Sequence, residues 1–276
     1  MENQNENPKD TAALVSLIEL SNRLGFIYGS EDISMLLYTL VRRERPLNVV
    51  ELGTGLGVSA LWMGQALKEN AQGRISTFDD ASHWKDAEEV QRAVRLLAKA
   101  EAFSRLEGAN LDYQGFIDRM RDLLGLQDFL TLIPDHIDLS NEAALAARDY
   151  AFMRDPVDFV FADFQRGPDD ILDVFSFFLP RTAPSASIFI DSASTSLTGF
   201  LFLEKLVGQL NAGKVPRHFL MNKTPQGCRR MIDLISLRRF TLVHLVEKKR
   251  RDQNSTAWIR IEPIDYVPHP MTLMKM

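Results

Sequence analysis

Residues 49–62 read VVELGTGLGVSALW, and this stretch decides the fold. The apolar run Leu47–Leu52 has the length and composition of a short buried strand. Gly53, Gly55 and Gly57 follow at once, and a helical pattern runs from Gly57 to Asn70. A strand that turns through glycines into a helix is the opening unit of nucleotide-binding α/β folds. Glycine suits such a turn because a ligand presses against the backbone, where a Cβ would collide. The helix N-terminus beyond it offers unpaired N–H groups to an anionic group. A dinucleotide loop of the form G-x-G-x-x-G requires glycine at 58, and that residue is Val58. The pattern present is E-x-G-x-G-x-G, with Glu51 two residues before Gly53.

Upstream of this unit, residues 1–9 are polar and read as disordered. Two amphipathic patterns follow, TAALVSLIELSNRLGF from Thr11 and SEDISMLLYTLVRR from Ser30, where Ser30 is a plausible N-cap. Pro46 ends the second helix. Downstream, strand-like RISTF (74–78), 129–137, VDFVFA (157–162) and ASIFI (186–190) alternate with helical stretches at 84–125, 140–153, 168–179 and 198–211. The tail breaks the rhythm. FTLVHLV (240–246) and AWIRI (257–261) are strand-like, and the polar stretch Glu247–Thr256 reads as a hairpin connection.

Alternation of strand and helix predicts an α/β, Rossmann-like, doubly wound sheet, mainly parallel. The C-terminal hairpin adds one antiparallel edge strand. Residues 1–45 are expected as a helical segment packed on the core. Residues 46–276 are expected as the Rossmann-like domain, with a helical insert at about 82–128 that exceeds what one crossover helix needs. That insert carries Trp84, Phe103, Tyr113, Phe116 and Met120 on helical spacings. They serve either as apolar faces packed on the domain or as a lid or substrate wall. Phe175, Phe177 and Phe178 read as core.

The composition, 45% hydrophobic and 25% charged over 276 residues, is that of a globular chain with a sizeable core. A net charge of −5 provides no overall positive field to attract nucleic acid, and the basic run Lys248–Arg251 reads as a solvated turn. Cys228 is the only cysteine, which excludes an intramolecular disulfide and reads as a packed or incidental thiol. The segment Met1–Asp10 has no apolar stretch, and no apolar run has the length of a membrane span. The expectation is a cytoplasmic protein with no membrane or nucleic-acid partner.

The E-x-G-x-G-x-G loop resembles the first motif of class I S-adenosylmethionine-dependent methyltransferases. With FVFADFQ (159–165) and FIDSAS (189–194), the layout of residues 30–195 is similar to the catechol O-methyltransferase-like group. The resemblance implies S-adenosyl-L-methionine as cofactor and methyl transfer to a small-molecule acceptor, at a hydroxyl oxygen or at nitrogen. It places Glu51, Gly53, Thr54, Gly55, Gly57 and Ser59 at the cofactor. A carboxylate ending the second strand accepts the ribose hydroxyls. Asp79, 22 residues past Gly57, is the better match and Asp80 the fallback. Asp138 falls where the family places a contact to adenine, and it serves equally as a helix N-cap before Asn141-Glu142.

Asp163 and Asp191 end the fourth and fifth strands, at the sheet edge where ligands bind in open α/β sheets. Asp163 is assigned to the cofactor or the methyl-transfer site. Asp163, Asp191 and His83 are the candidates for a general base. In metal-dependent members of the group, these two acids and an asparagine hold a divalent cation, and a lysine helps deprotonate the acceptor. Here the asparagine position holds Ser192 and the lysine region reads Phe164-Gln165-Arg166. Serine is the weaker hard-cation ligand and arginine a poor base, so no metal is expected.

Two other classes compete. A non-catalytic S-adenosylmethionine- or S-adenosylhomocysteine-binding partner subunit would keep the loop and lose the chemistry. A nicotinamide-dependent oxidoreductase is disfavoured by Val58 and by the lack of a Tyr-x-x-x-Lys pair. The insert would favour an aromatic or otherwise apolar acceptor. The apolar N-terminal helices could pair two subunits, or pack on their own domain.

Overall fold

A computed structural model describes residues 8–24, 31–85, 87–163, 167–193, 197–221, 223–246 and 255–265. In chain order these form α1 (Pro8–Leu24), α2 (Glu31–Glu44), β1 (Asn48–Leu52), α3 (Val58–Asn70) and β2 (Arg74–Phe78). The insert contributes α4 (Ala87–Leu97) and α5 (Tyr113–Leu124), separated by a 3-10 segment at Glu101–Leu106. Then come β3 (Leu130–Ile133), α6 (Glu142–Ala147), β4 (Val157–Ala162), α7 (Pro168–Phe178) and β5 (Thr182–Asp191). The chain closes with α8 (Leu197–Asn211), α9 (Pro225–Ser236), β6 (Arg238–Val246) and β7 (Ser255–Pro263).

The strand order is β3-β2-β1-β4-β5-β7-β6. β1, β2 and β3 are parallel, with Glu51 in register with Thr77 and Leu52 with Phe78. This is the expected Rossmann-like, mainly parallel sheet. The hairpin is real, but its antiparallel member is not the edge. β7 runs antiparallel to both β5 and β6, and β6 lies outermost. The apolar alternation of β7 suits a strand paired on both sides: Ala257, Ile259 and Ile261 are all fully buried.

Other boundaries move for local reasons. The third strand stops at Ile133 instead of 137 because Pro134 follows, and the Asp135 N–H turns back to the Ile133 carbonyl. The helix read over 140–153 is only α6 and a 3-10 turn at Ala151–Met153, with Asp149 between them at φ +48°. α9 lies where the periodicity reading places no element. Thr224 caps it, accepting from the Gly227 N–H at 3.1 Å, and Pro225 starts it. The proposed cap Ser30, the basic run at 248–251 and Arg166 lie outside the described residues. Of the expected hairpin connection, Ser255 and Thr256 already belong to β7.

The chain divides into two compact units: Met1–Asp138 with Val160–Phe164, and Leu139–Phe159 with Gln165–Met276. In the first, α1 and α2 pack on α3 through polar pins among apolar contacts. Trp62 donates its indole N–H to the Ser21 hydroxyl at 2.8 Å, and Arg42 pairs with Glu69 at 3.1 Å. Apolar residues Leu17, Leu20, Leu37 and Val41 are buried there. In the insert, Phe103, Phe116 and Met120 are completely buried and Trp84 and Tyr113 nearly so. In the second unit, Phe175, Phe177 and Phe178 are core, as expected. No helix of the described residues is long and apolar enough to cross a membrane.

Candidate cofactor site

The glycine loop sits in the first unit, between the end of β1 and the start of α3. The Gly53 N–H donates to the Phe78 carbonyl at 2.8 Å, extending the β1–β2 pairing by one residue. The Gly57 N–H then closes a turn on the Thr54 carbonyl at 2.8 Å. Gly55 (φ +53°) and Gly57 (φ +79°) both adopt left-handed backbone, which costs a side-chain-bearing residue about 1–2 kcal/mol.

Their surroundings differ. A Cβ on Gly57 would come within 3.0 Å of Ile117 Cδ1, so a side chain there would press on the insert in addition to the strain of its positive φ. A Cβ on Gly55 would meet no protein atom within 4 Å. The space over Gly55 is open, as close approach of a ligand to the backbone requires.

Glu51 lies beneath the loop and is completely buried. The Ser59 hydroxyl donates to its Oε1 at 2.5 Å, and the Thr77 hydroxyl to its Oε2. Thr54 completes the chain, its hydroxyl 2.6 Å from that of Thr77. Burial pushes the Glu51 carboxyl up to about 8, against these two hydrogen bonds and aided by the nearby Asp163 and Asp79 carboxylates. Glu51 therefore ties β1, β2 and α3 together from inside. Ser59 and Thr54 act with it.

Asp79 is half-buried at the end of β2. Its Oδ2 accepts the Gly55 N–H at 3.0 Å and its Oδ1 the Ala81 N–H at 2.8 Å. The Tyr113 hydroxyl also lies within hydrogen-bonding reach of this carboxylate, which keeps acceptor capacity beyond its two backbone donors. Asp80 is exposed. It accepts from Ser82 N at 2.8 Å and lies 3.5 Å from His136, and its hydrogen bonding to Ser82 holds its carboxyl below the ordinary range. Of the two acids, only Asp79 touches the loop through these bonds.

Asp163 follows β4, where its N–H donates to the Leu52 carbonyl at 2.8 Å. That bond sets it beside the end of β1, close enough to Glu51 to raise its pKa. β1 and β4 are neighbours in the sheet at the point where strand order reverses, the usual ligand crevice of open α/β sheets. His83 is exposed in a 3-10 turn at Ser82–Trp84. Asp138 is exposed beyond β3. Asn141, whose side chain accepts from Ala144 N at 3.1 Å, caps α6, which removes the capping role considered for Asp138.

In the second unit, Asp191 ends β5 with both carboxylate oxygens engaged. The Ser192 hydroxyl donates to Oδ2 and the Thr256 hydroxyl to Oδ1, each at 2.7 Å. Asp191 and Thr256 are partners in the β5–β7 register, so the carboxylate pins the two strands together. Cys228 is half-buried, its thiol 3.6 Å from the Leu220 carbonyl.

Two site residues were legible only as insert aromatics. The Tyr113 hydroxyl donates to the Gly55 carbonyl at 2.9 Å, and its ring stacks on Trp84 with centroids 5.8 Å apart and planes 2° from parallel. Burial raises the Tyr113 phenol well above its ordinary value, so it remains protonated and a donor. The sequence does not distinguish Thr77. Its place opposite Glu51 follows from strand register, which local sequence does not disclose.

Among solved structures, an O-methyltransferase of Streptomyces achromogenes involved in tomaymycin synthesis is 19% identical to this chain. It covers 94% of this chain and 91% of its own, at a TM-score of 0.46. An O-methyltransferase of Bacillus cereus, in complex with S-adenosylhomocysteine, is 16% identical. Coverage is 95% and 93%, at a TM-score of 0.47. No curated protein matches the chain. The family model described as a methyltransferase domain matches residues 50–193. That span is more than half of the chain, opens inside β1 and takes in the whole glycine loop, Asp79, Asp163 and Asp191; the chain belongs to the methyltransferase-domain family.

Proposed function

We propose that this protein transfers a methyl group from S-adenosylmethionine to the hydroxyl oxygen of a small-molecule acceptor. The observation that carries the reading is the joint between Gly55 and Asp79. One left-handed glycine with open space above it is hydrogen-bonded to a half-buried carboxylate that keeps lone pairs for a ribose diol. The residues fit the cofactor: a Cβ at 55 would enter the open space, and Asp79 supplies the acceptor that adenosine hydroxyls need.

When bound, S-adenosylmethionine supplies a sulfonium-activated methyl group. The protein's share is to orient and to handle a proton. Gly53, Thr54 and Gly55 form the floor, Asp79 holds the ribose end, and Glu51, Thr77 and Ser59 keep the floor rigid from below. In this reading Asp163, beside the end of β1, takes the acceptor proton, and Asp80 and His83 stay in solvent. Orientation of this kind lowers a transfer barrier by several kcal/mol without covalent participation, with a ceiling of about 7–11 kcal/mol.

A non-catalytic binding role is the second reading. It is favoured by Asp191, whose carboxylate serves as a brace between β5 and β7 through Ser192 and Thr256. Isothermal titration with S-adenosylhomocysteine, alongside NAD, tests the cofactor. Saturable binding of the former alone supports the proposal, and binding of neither removes it. An acceptor panel then separates an enzyme from a binding protein.

A further inference from the structure

The helical insert reaches the loop through the Tyr113 hydroxyl, which bonds the Gly55 carbonyl and also lies within hydrogen-bonding reach of the Thr54 and Asp79 side chains. Asp112 caps α5, accepting the Gly115 N–H at 2.7 Å, and so fixes Tyr113 as the first residue of the helix. The Tyr113 ring is 5% exposed and held by the parallel Trp84 ring, itself 5% exposed, from the turn after β2. From that position its hydroxyl donates to the Gly55 carbonyl. The N–H of the same residue is held by Asp79. Gly55 is thus gripped at both of its backbone polar groups, by β2 on one side and by the insert on the other. Only its Cα face remains open.

We infer that Tyr113 is a positioning residue for the cofactor loop: its hydroxyl, oriented by Trp84, holds Gly55 in its left-handed conformation with Asp79 aligned, before any ligand arrives. The inference rests on the reading of this loop as the S-adenosylmethionine site. It gives the insert a function besides packing. A loop held in its binding conformation spares the ligand the cost of ordering it, and preorganisation of this kind appears as affinity. Gly55 is the residue that needs it, since its φ is one that an unrestrained glycine samples among many.

The test is Tyr113→Phe, which keeps the ring and its stack and removes only the donor. Loss of one such hydrogen bond is expected to weaken S-adenosylhomocysteine binding about 5- to 10-fold by titration calorimetry. In the ligand-free protein, amide hydrogen exchange of residues 53–57 is expected to speed up by a similar factor, while β1 and β2 amides stay protected. A purely structural tyrosine would lower the melting temperature and leave the affinity of folded protein unchanged. If the unaltered protein binds and Tyr113→Phe binds equally well, the positioning role is overturned and the cofactor assignment stands. If the unaltered protein fails to bind S-adenosylhomocysteine, both fall together.

Discussion

Glu51 carries the most quantitative prediction. Its side chain is completely buried, and its carboxyl is pushed to about 8 from an ordinary value of 4.5. Burial is the main cause, and the Asp163 and Asp79 carboxylates nearby add to it. A carboxyl whose pKa is raised on folding is neutral in both states below 4.5, so its contribution is intact there. Between 4.5 and 8 the unfolded chain releases the proton and the folded chain keeps it. Stability is therefore lost with rising pH, at about 1.4 kcal/mol per pH unit, and the loss levels off above 8. From pH 5 to pH 7 the cost is about 3 kcal/mol.

Glu51→Gln mimics the neutral acid in shape and still meets the Ser59 and Thr77 hydroxyls, whose protons can rotate. We predict that the variant gains on the parent steadily from pH 5 to pH 8, by about 3–4 kcal/mol over that range. Urea unfolding of both proteins at half-unit pH intervals measures this difference, and titrations elsewhere cancel. Parallel stability curves would refute the reasoning, because they would mean that Glu51 is already ionised in the folded protein near pH 6.

Three further predictions concern the site. Gly57→Ala is expected to destabilise the fold by about 1–3 kcal/mol, from its positive φ and the approach to Ile117, whereas Gly55→Ala costs about 1 kcal/mol and abolishes S-adenosylhomocysteine binding. Equal binding by folded Gly55→Ala would remove the ligand from the space above that residue. Asp163→Asn is expected to lower turnover about 100-fold with S-adenosylhomocysteine affinity nearly unchanged, while His83→Ala leaves both alone; the reverse pattern in an initial-rate assay would reassign the base. Turnover is expected to survive a chelator, because Ser192 offers a weak hard-cation ligand and its hydroxyl is given to Asp191. Loss with EDTA and recovery with magnesium would overturn that.

Part of this molecule is local and readable from the chain alone. The run VVEL followed by alternate glycines can be only a buried strand and a tight turn, because its composition leaves the backbone no other economical course. Asp79 at the end of RISTF was legible for the same reason: a short apolar strand ends where the charges begin. The α/β architecture followed from the alternation of such units. Helix α9 was harder to see, since its amphipathic pattern lies in an Arg-rich stretch, although Thr224 and Pro225 are an ordinary start signal.

What the tertiary structure decided are the pairings between segments far apart in the chain. Hydrophobic alternation identifies β6 and β7 as strands. Their order in the sheet depends on which backbone edges remain unpaired after β5 forms, and the order here is β5-β7-β6. The three glycines look alike in sequence, yet a Cβ at Gly57 would press on Ile117 of the insert, and Gly55 faces open space. Glu51 reads as a possible ligand contact and becomes an internal brace because strand register sets Thr77 beside it. Tyr113 reads as one aromatic among several until α5 brings its hydroxyl to a carbonyl 58 positions earlier in the chain. Periodicity tells which face of an element is apolar, whereas hydrogen-bond partners across the fold are chosen by the positions that packing leaves within reach.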